Sequence, residues 1–542
     1  MESKTLRSKT IDHLGLVSGM FDELGLVEKI DSFVPQDVEF RELSIGTICK
    51  ALVLNGLGFT ERTLYMVSNF FSDKPVETLL GAGVMAEHLN DSVLGRALDD
   101  IYSFGTTRLY QCLVPSICKT LGLESSRFAH MDSTDFHLDG RYNSETDTIP
   151  DSTIHLTKGY SRDHRPDLNQ VVLNLIVENQ AGIPLHMEAL SGNSSDKIVF
   201  RETIKEHIAQ LQNVAQFEYL VMDSAGYTSE TISEYSDNIK WISRVPESIK
   251  TCAEAVLSLQ ELVPLDDKYS YKALESNYSG IPQRWLLVWS EEAWDRETKT
   301  LDRNWQKKGE IELRHWSSLQ KEEFSCSTDA EKAMAAFQKK CKYLTFNEIK
   351  IVEIPKYIKK GRPPKNRPPD RHVFKITSYP CSDIGIHEEK KQGKGRFIIA
   401  TNELDKEKLS DKELLAAYKG QSKVEKGFRF LKDPQFVARN FFVKKPERLE
   451  ALVFIMTLCL TVYSALEYKI RTNLKELDKS IPNQLRKPTN KPTARWVFQL
   501  FRGIHFLYGL NTEKPVCLNF NDIHQVIIEV LGQNYKKYYL RI

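Results

Sequence analysis

Apolar positions recur at helical spacing through the first 125 residues, and then the period changes. Between Ser44 and Gly56, Ile45, Ile48 and Leu52 fall on one helical face, and Ser44 is placed to cap it. After a break at Gly58, Thr60 to Phe71 continues the helical pattern. The next segment starts at Asn90 or Asp91 and lines up Val93, Leu94, Ala97, Leu98 and Ile101. Short helices joined by tight turns predict a helical domain over 1–125. It reads either as a packing domain or as a helix-turn-helix that binds DNA ends, with its recognition helix starting near Asn90.

From Arg127 the pattern is that of strands. Phe128 to Leu138 is apolar and β-prone, and Asp139-Gly140 supplies a turn. Val171 to Val177 and Leu185 to Leu190 are two further strands, joined by the turn Gln180 to Pro184. A helix from Asp196 to about Leu211 leads to a strand, Phe217 to Asp223. A helix from about Ser229 to Ser236 leads to another, Lys240 to Val245. The order β-β-β-α-β-α-β predicts a mixed sheet with helices against it, hence an α/β fold class. The compact pattern stops near Pro246. Residues 247–394 alternate short strands with a charged helix, Thr328 to Cys341, and Gly395 to Thr401 returns to a buried strand. The expected domains are therefore 1–125, an α/β domain made of 126–246 and 395–440, a β-rich insertion over 247–394, and a helical C-terminal region over 441–542. Ala451 to Leu466 is apolar but broken by Thr457, Thr461, Tyr463 and Ser464, so it is read as a buried helix and not a membrane span.

Three carboxylates stand out against this pattern. Asp132 lies in the first strand of the α/β domain and Asp223 ends the fourth. Functional groups in α/β sheets gather beyond the carboxyl ends of strands. If the first and fourth strands are neighbours, the two aspartates come together. The bland alternative for either is a turn or cap residue. Asp135 competes with Asp132, from the opposite face of a continuous strand. The third carboxylate is Glu425. A capping box at Ser410 and Glu413 predicts one helix running to about Asp433, with Tyr418, Gln421, Glu425, Phe428 and Lys432 on one face. Clustered carboxylates repel unless a cation neutralises them. Mg²⁺ binds through a few carboxylates plus substrate phosphates, and paired ions about 4 Å apart serve phosphoryl transfer.

Composition narrows the rest. Lys and Arg number 74 and Asp and Glu 73, so any basic surface is local. One such stretch is Lys359 to Lys375, rich in proline, where Gly361-Arg362-Pro363 lies between Lys360 and Lys365, with Arg367 close by. It reads as a minor-groove reader, a phosphate-contacting loop or a solvated linker. The tryptophans at 285, 289, 294, 305 and 316 either pack a core or stack on a flipped base. Nine cysteines without a C-x-x-C pair argue against a zinc knuckle and suit reduced thiols. With no secretory signal at the N-terminus, the expected compartment is the cytoplasm.

The motifs together resemble bacterial insertion-sequence transposases of the DDE type, in the large group with the signature Y-x2-R-x3-E-x6-K. Tyr418, Glu425 and Lys432 match that spacing; Gln421 stands where most of the group has Arg, with Lys423, Lys426 and Arg429 nearby. Met131-Asp-Ser-Thr-Asp135 is similar to the first-Asp motif and Val221-Met-Asp-Ser-Ala-Gly-Tyr227 to the second. Gly159 to Asp167 is similar to the loop between the early strands. The flanking text looks like the subgroup of long chains with a helical N-terminal domain. The resemblance implies a ribonuclease-H-like catalytic domain carrying an insertion. It implies Asp132, Asp223 and Glu425 as Mg²⁺ ligands, with Mn²⁺ as substitute, and Tyr418, Gln421, Arg429 and Lys432 at the DNA. It implies a homodimer on DNA that binds terminal inverted repeats, cuts the ends and joins them to target DNA, with no membrane partner. A ribonuclease-H-like nuclease without strand transfer and a DNA-binding derivative that no longer cuts are the alternatives.

Overall fold

A computed structural model describes residues 6–37, 41–59, 66–123, 126–138, 154–161, 165–258, 260–358, 367–433, 443, 445–509 and 515–540. The Asp139-Gly140 turn, the start of the helix expected from Thr60, and Lys360, Arg362 and Lys365 lie outside them. The chain forms two compact units: Met1–Arg244 with Ser276–Gln283 and Thr401–Ile542, and Val245–Glu275 with Arg284–Ala400.

The first unit opens with strand β1 (Arg7–Thr10) and helices α1 (Leu14–Glu23), α2 (Leu26–Phe33), α3 (Ile45–Leu57), α4 (Val67–Phe71), α5 (Val76–Leu80), α6 (Asp91–Phe104) and α7 (Thr106–Leu121). Local chemistry sets the starts of the longer ones. The Ser44 side chain accepts the Thr47 N–H at 3.2 Å, and Asn90 accepts the Val93 N–H at 3.1 Å. The α/β part follows as β2 (Phe128–Leu138), β3 (Asn169–Glu178), β4 (Pro184–Ser191), α8 (Asp196–Ala215), β5 (Tyr219–Met222), α9 (Ser229–Tyr235) and β6 (Lys240–Arg244). Its strand order is β4-β3-β2-β5-β6. The first three strands pair antiparallel, and β5 and β6 are each parallel to their inner neighbour. This is the mixed sheet that the hydrophobic pattern predicts.

The second unit is as much helix as strand. It holds α10 (Lys250–Leu257), β7 (Val263–Pro264), β8 (Tyr269–Ser276), β9 (Gln283–Ser290), α11 (Glu291–Leu319), α12 (Ser327–Lys340), β10 (Leu344–Lys356), β11 (Arg371–Ser382), α13 (Ile384–Gln392) and β12 (Arg396–Thr401). The 29-residue α11 is absent from the strand-dominated expectation, because its sequence is charged and only sparsely apolar. Its tryptophans recur every eleven residues and so stay on one side. Trp316 anchors a small core with Ala330, Met334 and Ile376, and the Trp305 indole donates to the Ser382 hydroxyl at 3.0 Å. Trp285 is buried as well. For these three, packing accounts for the side chain. Arg367, the one described cation of the proposed basic reader, is tied to Asp370 at 3.0 Å.

The chain then returns to the first unit with α14 (Asp411–Gly420), α15 (Ser422–Leu431), α16 (Pro446–Glu476), the pair β13 (Ile481–Pro482) and β14 (Pro488–Thr489), α17 (Ala494–Leu500), β15 (His505–Tyr508), β16 (Val516–Leu518), α18 (Asp522–Leu531) and α19 (Gln533–Tyr539). By length and composition α16 could cross a membrane, yet its most apolar stretch is 78% buried inside the protein. It packs against α1, α3, α6, α7 and β4. The two chain ends interlock. β1 pairs antiparallel with β15, and α19 lies on α1. Gly15 and Gly19 make that approach possible: a Cβ on Gly19 would sit 2.6 Å from the Tyr535 ring, and one on Gly15 2.7 Å from the Tyr539 ring. The regions expected as separate N- and C-terminal helical domains thus form one body. Pattern analysis sees periodicity within a segment and carries no signal for pairing across some 500 residues.

Two outcomes are expected of this body. Tyr535 is fully buried and its hydroxyl donates to Glu23 at 2.7 Å. Tyr535→Ala should cost about 3–5 kcal/mol in urea unfolding; a loss under 1 kcal/mol would mean that the two ends are not coupled. His13 is buried, donates from Nε2 to the Leu57 carbonyl at 2.7 Å, and has its pKa pushed down to about 4 by burial. The unfolded chain protonates it near pH 6.5. Protons therefore favour the unfolded state, and stability is full above pH 6.5 and falls as pH drops towards 4. His13→Gln should flatten that slope, read as the urea midpoint against pH.

Candidate active site

Three parallel strands lie side by side, and their register sets out the site; β5 and β6 end there, while β2 runs on to Leu138. Met131 of β2 pairs with Met222 of β5, which pairs with Ser243 of β6. The next residue on each strand is Asp132, Asp223 and Arg244 respectively. Neighbouring strands lie about 4.8 Å apart, so the three side chains start in a row. Asp132 is 8% exposed, and its Oδ1 accepts the Ser133 N–H at 2.8 Å. Asp223 leaves the strand and caps the short turn Ser224–Gly226 through the Ala225 N–H at 2.8 Å, while the Ser243 hydroxyl donates to its carbonyl at 2.8 Å. Asp223 thus performs the cap role that the bland reading assigns, without that role excluding another, whereas Asp132 sits within a continuous strand.

Asp135 stands elsewhere. Strand β2 continues unbroken through it, so it faces away from Asp132 and lies beyond the end of β5. It is buried, with Lys432 Nζ 3.6 Å from its Oδ1 and His137 Nε2 3.9 Å from its Oδ2. Lys432, expected to face DNA, is paired with this carboxylate in the protein alone.

The helix expected from Ser410 to Asp433 is two helices. The capping box at Ser410 and Glu413 is formed as expected. At Gln421 the hydrogen bonding tightens: Gln421 N–H reaches Tyr418 O at 3.1 Å and Val424 N–H reaches Gln421 O at 3.0 Å. The cause lies against the sheet. Gly420 passes so close to β2 and β3 that a Cβ would meet Asn179 Oδ1 at 2.9 Å and the His130 ring at 3.0 Å. The Lys423 ammonium donates to the Asn179 carbonyl, and His130 Nε2 bonds Asn179 Oδ1 at 3.1 Å. Gln421 is buried at the bend, while Glu425 is exposed.

Tyr418 connects the helix pair to the strand ends. Burial raises its pKa; the Arg244 guanidinium, hydrogen-bonded to it, lowers it; the negative charges of Asp223 and Glu425 raise it. The phenol therefore lies within the field of two of the three sequence-marked carboxylates and stays neutral at physiological pH. Arg244 is the residue that sequence reasoning missed. Its signal was its place, one residue past the buried strand Trp241-Ile-Ser, in the same register position as the two aspartates. Among the described residues no three His, Cys, Asp or Glu side chains are close enough to form a ready-made metal cage.

With this geometry in view, comparison places the protein. The family model described as "Transposase DDE domain" matches residues 126–462. The chain belongs to that transposase family. A second model, described as a domain of unknown function (DUF4277), matches residues 6–115 of this transposase. No curated protein matches the chain. Among solved structures, the cryo-EM structure of the piggyBac transposase synaptic complex with hairpin DNA is similar at 7% identity and a TM-score of 0.39, over 92% of this chain and 82% of that one.

Gly420 offers a test of the local geometry. On helix propensity alone, Gly420→Ala should stabilise the transposase by up to about 1 kcal/mol. The close approach predicts the opposite, a loss of about 1–3 kcal/mol in urea unfolding. A stabilised variant would show that the bend is not held by this contact.

Proposed function

We propose that this transposase cuts DNA ends and joins their 3′-hydroxyls to target DNA, with Asp132, Asp223 and Glu425 as its catalytic carboxylates. The observation that carries the reading is the row of Asp132, Asp223 and Arg244, with Tyr418 in the field of both Asp223 and Glu425. The strand order β4-β3-β2-β5-β6 is that of the ribonuclease-H-like fold which the resemblance implies. The signature Y-x2-R-x3-E-x6-K and the insertion-sequence subgroup with long chains and a helical N-terminal domain belong to the same proposal.

The donor set fits a hard divalent cation, because all three groups offer carboxylate oxygen. Mg²⁺, or Mn²⁺ in its place, would be held by these three residues and would supply Lewis-acid activation of an attacking hydroxyl or water and of the leaving oxygen. The chain's own groups do the rest. Arg244 places a positive charge beside the carboxylates, where a scissile phosphate would bring negative charge. Its position suits the phosphate-binding role left open by Gln421. Tyr418, as a neutral phenol, donates a hydrogen bond to a phosphate or orients Arg244. Lys432 reaches DNA by exchanging Asp135 for a phosphate oxygen. Arg429 adds a backbone contact, and Lys360, Arg362, Lys365 and Arg367 belong to a basic loop of the insertion that meets DNA. The helical N-terminal body, over 1–125, binds the terminal inverted repeats, and the transposase works as a homodimer on paired ends in the cytoplasm. We assign 126–246 and 395–440 to the catalytic domain, 247–394 to its insertion and 441–542 to the C-terminal region.

The test is nicking of a cognate transposon end. Glu425→Gln should lower nicking by more than about 100-fold, the loss typical of outer-shell partners alone, while end binding persists. EDTA should do the same, and Mn²⁺ should restore the wild type. Nicking that survives Glu425→Gln would remove Glu425 from the centre. Joined products with a target plasmid separate strand transfer from plain nuclease action.

A further inference from the structure

The helix that carries Glu425 borders a cleft of about 360 Å³ between α15, α16, the segment leading into α17 and the β3–β4 turn. Arg429, one turn past Glu425, stands where that cleft meets the Glu425 side. Its charge is one-sided. Five cations line it, Lys423, Lys426, Arg429, Arg471 and Arg495, against two carboxylates, Asp433 and Glu467. Both carboxylates are already engaged. Asp433 holds Arg495 at 2.6 Å, and Glu467 holds Arg471 at 2.7 Å. Lys423 donates to the Asn179 carbonyl, and burial lowers its pKa. Lys426 and Arg429 are exposed and have no ion-pair partner among the described residues. The cleft thus carries the positive charges of Lys426 and Arg429 in surplus and attracts anions.

Its walls are built. The β3–β4 turn is pinned by the buried Glu178, whose carboxylate accepts the N–H groups of Ala181 at 2.6 Å and Ile183 at 3.0 Å. On the helix side, Phe430 stacks on Tyr463 with ring centroids 4.3 Å apart, and the Tyr463 hydroxyl accepts the Arg495 N–H at 3.1 Å. Such a cleft is at the small end of ligand-holding sites, about 300–1,000 Å³, and suits one strand rather than a duplex.

Position says which anion. Lys426 follows Glu425 directly, and Arg429 is one turn further, roughly 6 Å along the helix axis. A strand with one phosphate at the carboxylates delivers its next phosphates to these two cations. We propose that this cleft binds the backbone phosphates of the DNA strand held at Asp132, Asp223 and Glu425, one or two nucleotides from the reacting phosphate. The proposal rests on the reading of those carboxylates as the catalytic centre. It adds Lys426 to the DNA-binding surface through its free charge, while the ion-paired Arg471 and Arg495 shape the wall.

The test uses the full chain in EDTA, a short fluorescent single-stranded oligonucleotide, and anisotropy over a KCl series. Lys426→Ala/Arg429→Ala should weaken binding at least about tenfold at low salt. It should also reduce the slope of log K against log salt by roughly 1.4, since each lost phosphate contact on single strands contributes about 0.7. Lys426→Arg/Arg429→Lys, which keeps the charges, should bind as the wild type does. Both positions are exposed, and an unchanged thermal midpoint checks the fold. Unchanged affinity and slope in the alanine pair would overturn the proposal. So would inorganic phosphate stabilising the wild type but not that pair while oligonucleotide binding stays equal, because the cleft would then be a free-phosphate site. Failure of the underlying reading shows separately, as nicking that persists in Glu425→Gln.

Discussion

Parallel register between β2, β5 and β6 is the constraint on which the site depends. It brings together two carboxylates that are 91 residues apart in the chain and sets an arginine next to them. A slip of one residue in either pairing would send a side chain to the opposite face of the sheet. The register is held by burial on both faces: Tyr219, Leu220, Val221 and Met222 are all buried, as are Ala129 to Met131 opposite them. Polar side chains are tolerated here because β5 stops at Met222, leaving β2 without its parallel neighbour from Asp132 onward. Asp223 turns its carboxylate to a backbone N–H, and Asp132 does the same.

The third carboxylate needs a different device, since no strand supplies it. Glu425 rides on a helix that bends at Gln421, where Gly420 is pressed against His130 and Asn179. A straight helix would hold Tyr418 and Glu425 in fixed phase along one line. With the hydrogen bonding tightened at Gln421, Tyr418 is half-buried beside Arg244 while Glu425 is exposed. The surplus cations of α15 follow on the same exposed side, which is how one short helix serves both a carboxylate and a phosphate-attracting surface.

What was legible in the sequence was whatever repeats locally. The strands Phe128 to Leu138 and Lys240 to Arg244, the Ser410 capping box and the cap at Asn90 all appear where periodicity and cap chemistry put them. The adjacency of Asp132 and Asp223 was conditional on the first and fourth strands being neighbours, which the β2–β5 pairing supplies. The rest depended on contacts that carry no periodic signal. Arg244 looks like any charged residue at a strand end until its neighbours are known. The bend at Gln421 comes from a glycine meeting another part of the chain, while propensity alone argues for a continuous helix. Helix α11 was hidden because three tryptophans spaced eleven apart leave most of its surface charged.

Helix α16, read from the sequence as a buried helix, is the rod on which the first unit packs. Helix α16 reads as a candidate membrane span by composition because it is apolar around most of its circumference. Such a helix must be covered on all sides, and here the cover comes from α1, α3, α6 and α7, from β4, and from α15. Gly427, two residues past Glu425, lies where a Cβ would come within 3.2 Å of Leu460 on α16. The same helix holds Asp99 of α6 through a bidentate pair from Arg448, at 2.7 Å for each bond. Helix α6 is the one whose first turn was read as a recognition helix; its apolar face is spent on this packing, leaving Arg96 as its one cation. The helix bearing Glu425 and the N-terminal body are therefore fixed to a common rod. Packing on α16 links the helix bearing Glu425 to α1, α3, α6 and α7 of the N-terminal region.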